Sequence, residues 1–171
     1  MNKKGENMFN PSEVFKNPIQ IGIICRDLET TLKNFDEILG ISQFRIADFP
    51  PEGHEDTTRV YHEKKGDFVG KFCFYLWDNI ELEIIQPISG NSVWFDYLDK
   101  TPNGIGLHHI KFAVDHQEPV KEYFDSKGIE RVLYGEGVGP NAGRIFAFYD
   151  TFEKLGFDVE ILNTIRKDDE Q

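Results

Sequence analysis

The sequence predicts an α+β protein of two βαβββ modules whose strands join into one curved mixed sheet, a cup with its helices outside. Three observations predict it. The order strand, helix, strand, strand, strand is read twice, over 18–88 and again over 107–163. Within the strands, apolar and polar residues alternate, so each strand has one face for a helix and one for the inside of a cup. Four polar residues, Gln20, Glu83, His109 and Glu160, stand at matching places near strand starts or ends in the two halves.

The elements follow in order. Residues 1–17 are polar, contain Gly5 and Pro11, and read as a loose arm. A strand is expected over 18–25. Asp27 then caps a helix whose apolar positions, Leu28, Leu32, Phe35 and Leu39, recur at helical spacing, and Gly40 ends it. A second strand is expected over 41–49. The run Pro50-Pro51-Glu52-Gly53-His54-Glu55-Asp56 is a loop by composition. Strands over 68–77 and 79–86 meet at Asp78-Asn79, which suits a tight turn. The connector 89–106 holds a short helix over 92–98. The second module then supplies a strand over 107–115, a helix over 117–127 stopped by Gly128, and strands over 129–134, 143–149 and 157–162. Gly135-Glu136-Gly137-Val138-Gly139 lacks the Lys-Ser/Thr and the helix of a phosphate loop, so it reads as a hairpin or lid loop. The tail 164–171 is expected to fray.

Composition bounds the partners. With 171 residues the chain is one domain or two small fused modules. Its net charge of −11 argues against nucleic acid and anionic membranes, though not against a small anionic ligand held by local Lys or Arg. Cys25 and Cys73 lie in apolar runs and read as buried reduced thiols, which suits the cytoplasm. Lys3 and Lys4 have no apolar core behind them, so the first residues do not read as a signal peptide. No segment is long and apolar enough to span a bilayer.

Alternation assigns the faces. Ile19, Ile21 and Ile23 oppose Gln20 and Gly22; Leu82 and Ile84 oppose Glu81 and Glu83; Ile110 and Phe112 oppose His109 and Lys111; Val159 and Ile161 oppose Asp158 and Glu160. A sheet with one wet face shows the same alternation without any metal. The coincidence of four such residues at equivalent points of a repeat favours a shared site. One imidazole, two carboxylates and an amide oxygen suit Co²⁺, Mn²⁺, Ni²⁺ or Zn²⁺ better than a soft ion. His108 is expected to be structural or an orienting partner of His109. His54 and His62 are expected to be exposed.

At these residues the chain resembles the vicinal oxygen chelate superfamily of glyoxalase I, methylmalonyl-CoA epimerases, extradiol dioxygenases and bleomycin-resistance proteins. Two stretches carry the resemblance to the epimerases. They are Gly104-Ile105-Gly106-Leu107-His108-His109-Ile110-Lys111-Phe112-Ala113-Val114-Asp115 and Glu83-Ile84-Ile85-Gln86-Pro87. The resemblance implies the glyoxalase-like fold, one divalent metal on Gln20, Glu83, His109 and Glu160, and commonly a homodimer. Many bacterial members have histidine where this chain has Gln20, and animal glyoxalase I has glutamine there. The Asn-Trp segment by which glyoxalase I binds glutathione is replaced here by Gln86-Pro87-Ile88. The second catalytic glutamate of epimerases falls on Gly66, with Asp67 adjacent and Glu63 nearby.

The reading that results is a metal-dependent isomerase acting on a small-molecule acyl-CoA thioester such as methylmalonyl-CoA. The metal polarises a carbonyl and stabilises the enolate formed beside it. Glu160 is the expected base, and Asp67, Glu63 and Glu81, in that order, are the candidates for the opposite proton. Lys111 and Arg144 are expected to hold an anionic part of the substrate. A glyoxalase I-type lyase fits the same ligands, and a metal-free binding module of the resistance type needs none of them. An iron dioxygenase fits less well, since such sites usually want two histidines and a carboxylate.

Overall fold

The computed structural model describes residues 9–166 and 169. In chain order the elements are α1 (Pro11–Val14), β1 (Pro18–Cys25), α2 (Leu28–Leu39), β2 (Arg45–Phe49), β3 (Arg59–Tyr61), β4 (Lys64–Lys65), β5 (Val69–Leu76), β6 (Glu81–Ser89) and α3 (Val93–Asp99). The second half supplies β7 (Ile105–Val114), α4 (Glu118–Ser126), β8 (Arg131–Glu136), β9 (Ile145–Tyr149), α5 (Phe152–Leu155) and β10 (Asp158–Asn163). Residues 1–8, which do not read as a signal peptide, and positions 167, 168, 170 and 171 of the tail lie outside the described residues.

Local signals act as the sequence implies. Asp27 accepts a hydrogen bond from the Thr30 amide at 3.0 Å and caps α2, and Gly40 closes that helix in the left-handed conformation at φ 68°. Ser92 caps α3 through the Phe95 amide. The arm differs from its expectation over its described part. Phe15 packs edge-on against Phe112, and Phe9 packs on Tyr123, so residues 9–15 dock on the second module. The apolar residues of the arm bury more than its polar composition suggests.

The ten strands among the described residues form one sheet in the order β2-β5-β6-β1-β7-β10-β9-β8-β3-β4. Each module pairs its first and last strands in parallel, β1 with β6 and β7 with β10, and the modules join where β1 meets β7 antiparallel. The sheet is strongly curved. Five strands separate β2 from β9 in the sheet order, a span on the order of 29 Å if flat. Yet the rings of Phe49 and Phe146 from those strands lie 5.5 Å apart. The cup therefore closes within one chain.

Helices cover the outside. α2 packs Leu28, Leu32 and Phe35 on Cys73, Leu82 and Ile84. α4 packs Val120 and Phe124 on Phe112, Ala147, Tyr149 and Ile161. α3 sits at the end of the cup and sends Trp94 against Phe68, Phe72 and Phe148. Both cysteines are free and buried.

One hairpin is absent from the sequence reading. β3 and β4 fall between the loop read over 50–56 and the strand expected from 68, in a stretch to which the sequence assigned no element. β3 leaves the first module and pairs with β8 at the far edge of the second. Three residues have too short a period to be seen as a strand, and their partner lies about seventy positions away in the chain.

Candidate functional site

The repeat places eight residues in two equivalent sets. In the first module β1 sets Gln20 beside Glu81 and Gly22 beside Glu83. In the second, β7 sets His109 beside Asp158 and Lys111 beside Glu160. The central pairing then crosses the sets, with Gly22 opposite His109 and Gln20 opposite Lys111. Strand register alone thus carries residues from four strands to one spot on the cup floor.

Glu83, His109 and Glu160 converge there, with a donor atom of each within 4.8 Å of the others. His109 Nε2 is 3.1 Å from Glu83 Oε2 and 3.2 Å from Glu160 Oε2. The hydrogen bond of His109 Nε2 is made to Glu83, and Glu160 Oε2 has no hydrogen-bond partner. Gln20 Nε2 donates to Glu81 Oε1 at 2.6 Å, which leaves the buried Gln20 Oε1 without a partner. Buried oxygens rarely go unpaired, since each lost partner costs about 1–3 kcal/mol. The orphaned Glu160 Oε2, beside an imidazole and a second carboxylate, fits a divalent cation, and the mixed N and O donor set suits a borderline or hard one, with the buried Gln20 Oε1 as a fourth candidate donor.

Burial is the largest influence on both carboxyls. It pushes Glu83 up, but Lys111 and His109 outweigh it and hold Glu83 below the ordinary carboxylate range. Burial pushes Glu160 up, and with Glu83 as a like-charged neighbour it ends above that range despite Lys111 and His109.

Behind His109 stands a second imidazole. The register skips His108, a bulge that leaves it unpaired between β1 and β7 and frees it from strict alternation. Its Nδ1 lies 3.0 Å from His109 Nδ1, and its Nε2 lies 3.5 Å from Asp158 Oδ2. A His109 Nε2 lone pair free to hold a cation requires the proton on Nδ1, donated to His108. His108 then carries its own proton on Nε2, facing Asp158. Burial first, and His109 second, hold His108 well below the usual imidazole range, so it stays neutral. Burial pushes Asp158 up to about 6, against hydrogen bonds from the Thr151 and Phe152 amides.

Above the floor lies a cavity of about 580 Å³, walled by Phe49, Phe72, Phe74, Trp94, Phe146 and Phe148. The loop 137–141 forms part of its rim, as a lid loop would. Lys111 lines it and pairs with both carboxylates, 3.2 Å from Glu160 and 3.7 Å from Glu83. Its first contacts are thus the site's own acids.

Three expected residues are not brought to this cavity. Glu63 is exposed in the turn between β3 and β4 and faces Arg131 at 3.8 Å. The crossing of that hairpin to β8 carries it away. Asp67 is exposed beside the buried Phe68, in the link between β4 and β5. Arg144 bonds the Asn141 side chain at 3.5 Å and does not line the cavity. Glu81, ranked behind Asp67 and Glu63 on sequence, does line it. Gly22 and Asp158, which sequence reasoning placed on the same face but gave no role, stand against His109 and His108. A lone glycine inside a strand was the available signal for a close approach.

No curated protein matches the chain. Solved structures do. A methylmalonyl-CoA epimerase from Mycobacterium tuberculosis superposes with a TM-score of 0.56 at 17% identity, covering 94% of this chain and 95% of that one. A methylmalonyl-CoA epimerase variant from Streptomyces coelicolor in complex with 2-nitronate-propionyl-CoA gives 0.56 at 18%, covering 88% and 97%. A hypothetical protein from Bacillus halodurans gives 0.57 at 17%, covering 88% and 96%. These likenesses show the fold. In sequence, residues 19–148 match the family model of the glyoxalase/bleomycin resistance protein/dioxygenase superfamily. With that match spanning most of both modules and the cup they build, the chain belongs to this superfamily.

Proposed function

We propose that the chain is a metal-dependent isomerase that moves the proton on the carbon beside an acyl thioester carbonyl, as methylmalonyl-CoA epimerases do. One observation carries this reading. Two buried oxygens without partners, Gln20 Oε1 and Glu160 Oε2, accompany the convergent Glu83 and His109 on the floor of a cavity with aromatic walls. The structural likeness to epimerases, one of them holding an acyl-CoA analogue, supports the choice of substrate.

A divalent ion of Co, Mn, Ni or Zn held by Gln20, Glu83, His109 and Glu160 would supply Lewis-acid polarisation of the carbonyl. The protein does the rest. Glu160 is the base: it lines the cavity from the last strand, beside the space a substrate would occupy. Glu81 is the second carboxylate the cavity offers for returning a proton, in place of Asp67 and Glu63. It also orients Gln20 by accepting the amide N–H. The aromatic rings of the wall keep water from part of the floor, which favours transfer back to carbon over loss to solvent. The free buried thiols suit a reducing compartment such as the cytoplasm.

The test is α-proton exchange in D₂O, followed by NMR, with methylmalonyl-CoA and a set of other acyl-CoA thioesters in the presence of cobalt. Exchange at the α-carbon is expected. No exchange with any thioester sinks the proposal, and thioester absorbance appearing from a glutathione hemithioacetal instead identifies a glyoxalase I-type lyase.

A further inference from the structure

Lys111 stands where the two halves of the site differ most. Register makes it the equivalent of Gly22, just as His109 matches Gln20, Asp158 matches Glu81 and Glu160 matches Glu83. In the first module that position has no side chain. In the second it sends an ammonium to the cup floor, on a residue only 9% exposed.

The ammonium and the imidazole divide the two carboxylates between them. Oε2 of Glu83 and Oε2 of Glu160 face His109 Nε2, at 3.1 and 3.2 Å. Oε1 of Glu83 and Oε1 of Glu160 face Lys111 Nζ, at 3.7 and 3.2 Å. Each acid therefore has one oxygen committed to the chain's own cation. Two buried carboxylates facing each other repel, and burying them uncompensated is costly. Lys111 relieves that repulsion and leaves the cluster with one net negative charge. A dication brought to the same acids meets a fixed positive charge and carboxylates already shared.

We propose that Lys111 is a tethered cation that holds Glu83 and Glu160 in place in the metal-free protein and weakens the divalent site by competing for both acids. The inference rests on the metal-binding reading above. It makes the chain a weak, exchangeable metal binder whose ligands stay ordered without the ion.

The experiment compares the full-length wild type with K111M and K111R by zinc and manganese titration calorimetry. It adds ¹⁵N detection of the lysine ammonium and the histidine ring nitrogens in the wild type during zinc titration. Expected are metal binding at least about tenfold tighter in K111M, wild-type-like weak binding in K111R, and a displaced Lys111 ammonium signal as zinc binds His109. Equal affinities in wild type and K111M, or an unmoved Lys111 signal while His109 responds, overturn the role of Lys111 and leave the metal site standing. If zinc moves neither signal and no variant binds metal, the metal reading falls and this inference with it. Should K111M not fold without metal, the wild-type ammonium signal decides the matter alone.

Discussion

The imidazole of His109 lies in the space that a side chain at residue 22 would fill. A Cβ built on Gly22 overlaps Cε1, Nε2 and Nδ1 of the ring. The two residues pair across the junction of the modules, so His109 reaches the two carboxylates only because β1 has nothing there. Gly22→Ala is therefore expected to cost about 1–3 kcal/mol or more, as overpacking does, and to displace His109. Urea unfolding and the His109 ring signals check both effects. A variant as stable as wild type with unchanged His109 signals would show that the floor is looser than described.

Glu160→Gln keeps the size of the side chain and removes its basicity. We expect α-proton exchange to fall by roughly 10²–10⁴-fold while acyl-CoA binding persists. Glu63→Gln and Asp67→Asn change exposed groups outside the cavity and are expected to alter the rate by no more than about twofold. Loss of exchange in either of the latter would return the second base to the place the sequence suggested.

His108 positions His109 through the contact between their Nδ1 atoms, with Asp158 behind. Replacing His108 by phenylalanine keeps the ring packing against Tyr97 and Phe148 but removes the acceptor. Metal affinity is expected to drop by about 10–100-fold, with His109 shifting to a mixture of tautomers readable from ¹⁵N couplings. Unchanged affinity and a single His109 tautomer would show that His108 only fills space.

Burial, and Cys25 beside it, push the Cys73 thiol up to about 11 from an ordinary value of 9. Between those values the folded protein keeps a proton that the unfolded chain has lost. Stability is then fully present below pH 9 and falls as pH rises toward 11, by about 3 kcal/mol in all. Urea unfolding from pH 8 to 11 checks the slope, which Cys73→Ala should remove. In the native protein at pH 8 neither thiol is expected to react with a disulfide reagent until the chain unfolds. Rapid labelling of the native state would contradict the buried placement.

Much of the architecture was legible because it is written in local patterns. Leu28, Leu32, Phe35 and Leu39 announce α2 at helical spacing, and Asp27 and Gly40 mark its ends through contacts within one turn. Period-two alternation placed Gln20, Glu83, His109, Lys111 and Glu160 on one face of their strands. The resemblance in 104–115 and 83–87 pointed to the superfamily and to a ligand set. The candidates for a second base were counted along the chain from Glu83, and chain distance does not reveal that the hairpin carrying Glu63 crosses to the other module, away from the cavity.

The sequence by itself determined two repeated modules, their cores and the polar faces they turn to a common interior, since periodicity and capping act between near neighbours. Only the tertiary structure decided that the cup closes within one chain, that β3 extends the opposite module and that a bulge turns His108 toward His109. It also decided that Lys111 enters the space between Glu83 and Glu160. Each of these depends on which distant strands pair and in what register, and a shift of one residue would reverse every side chain on the strand.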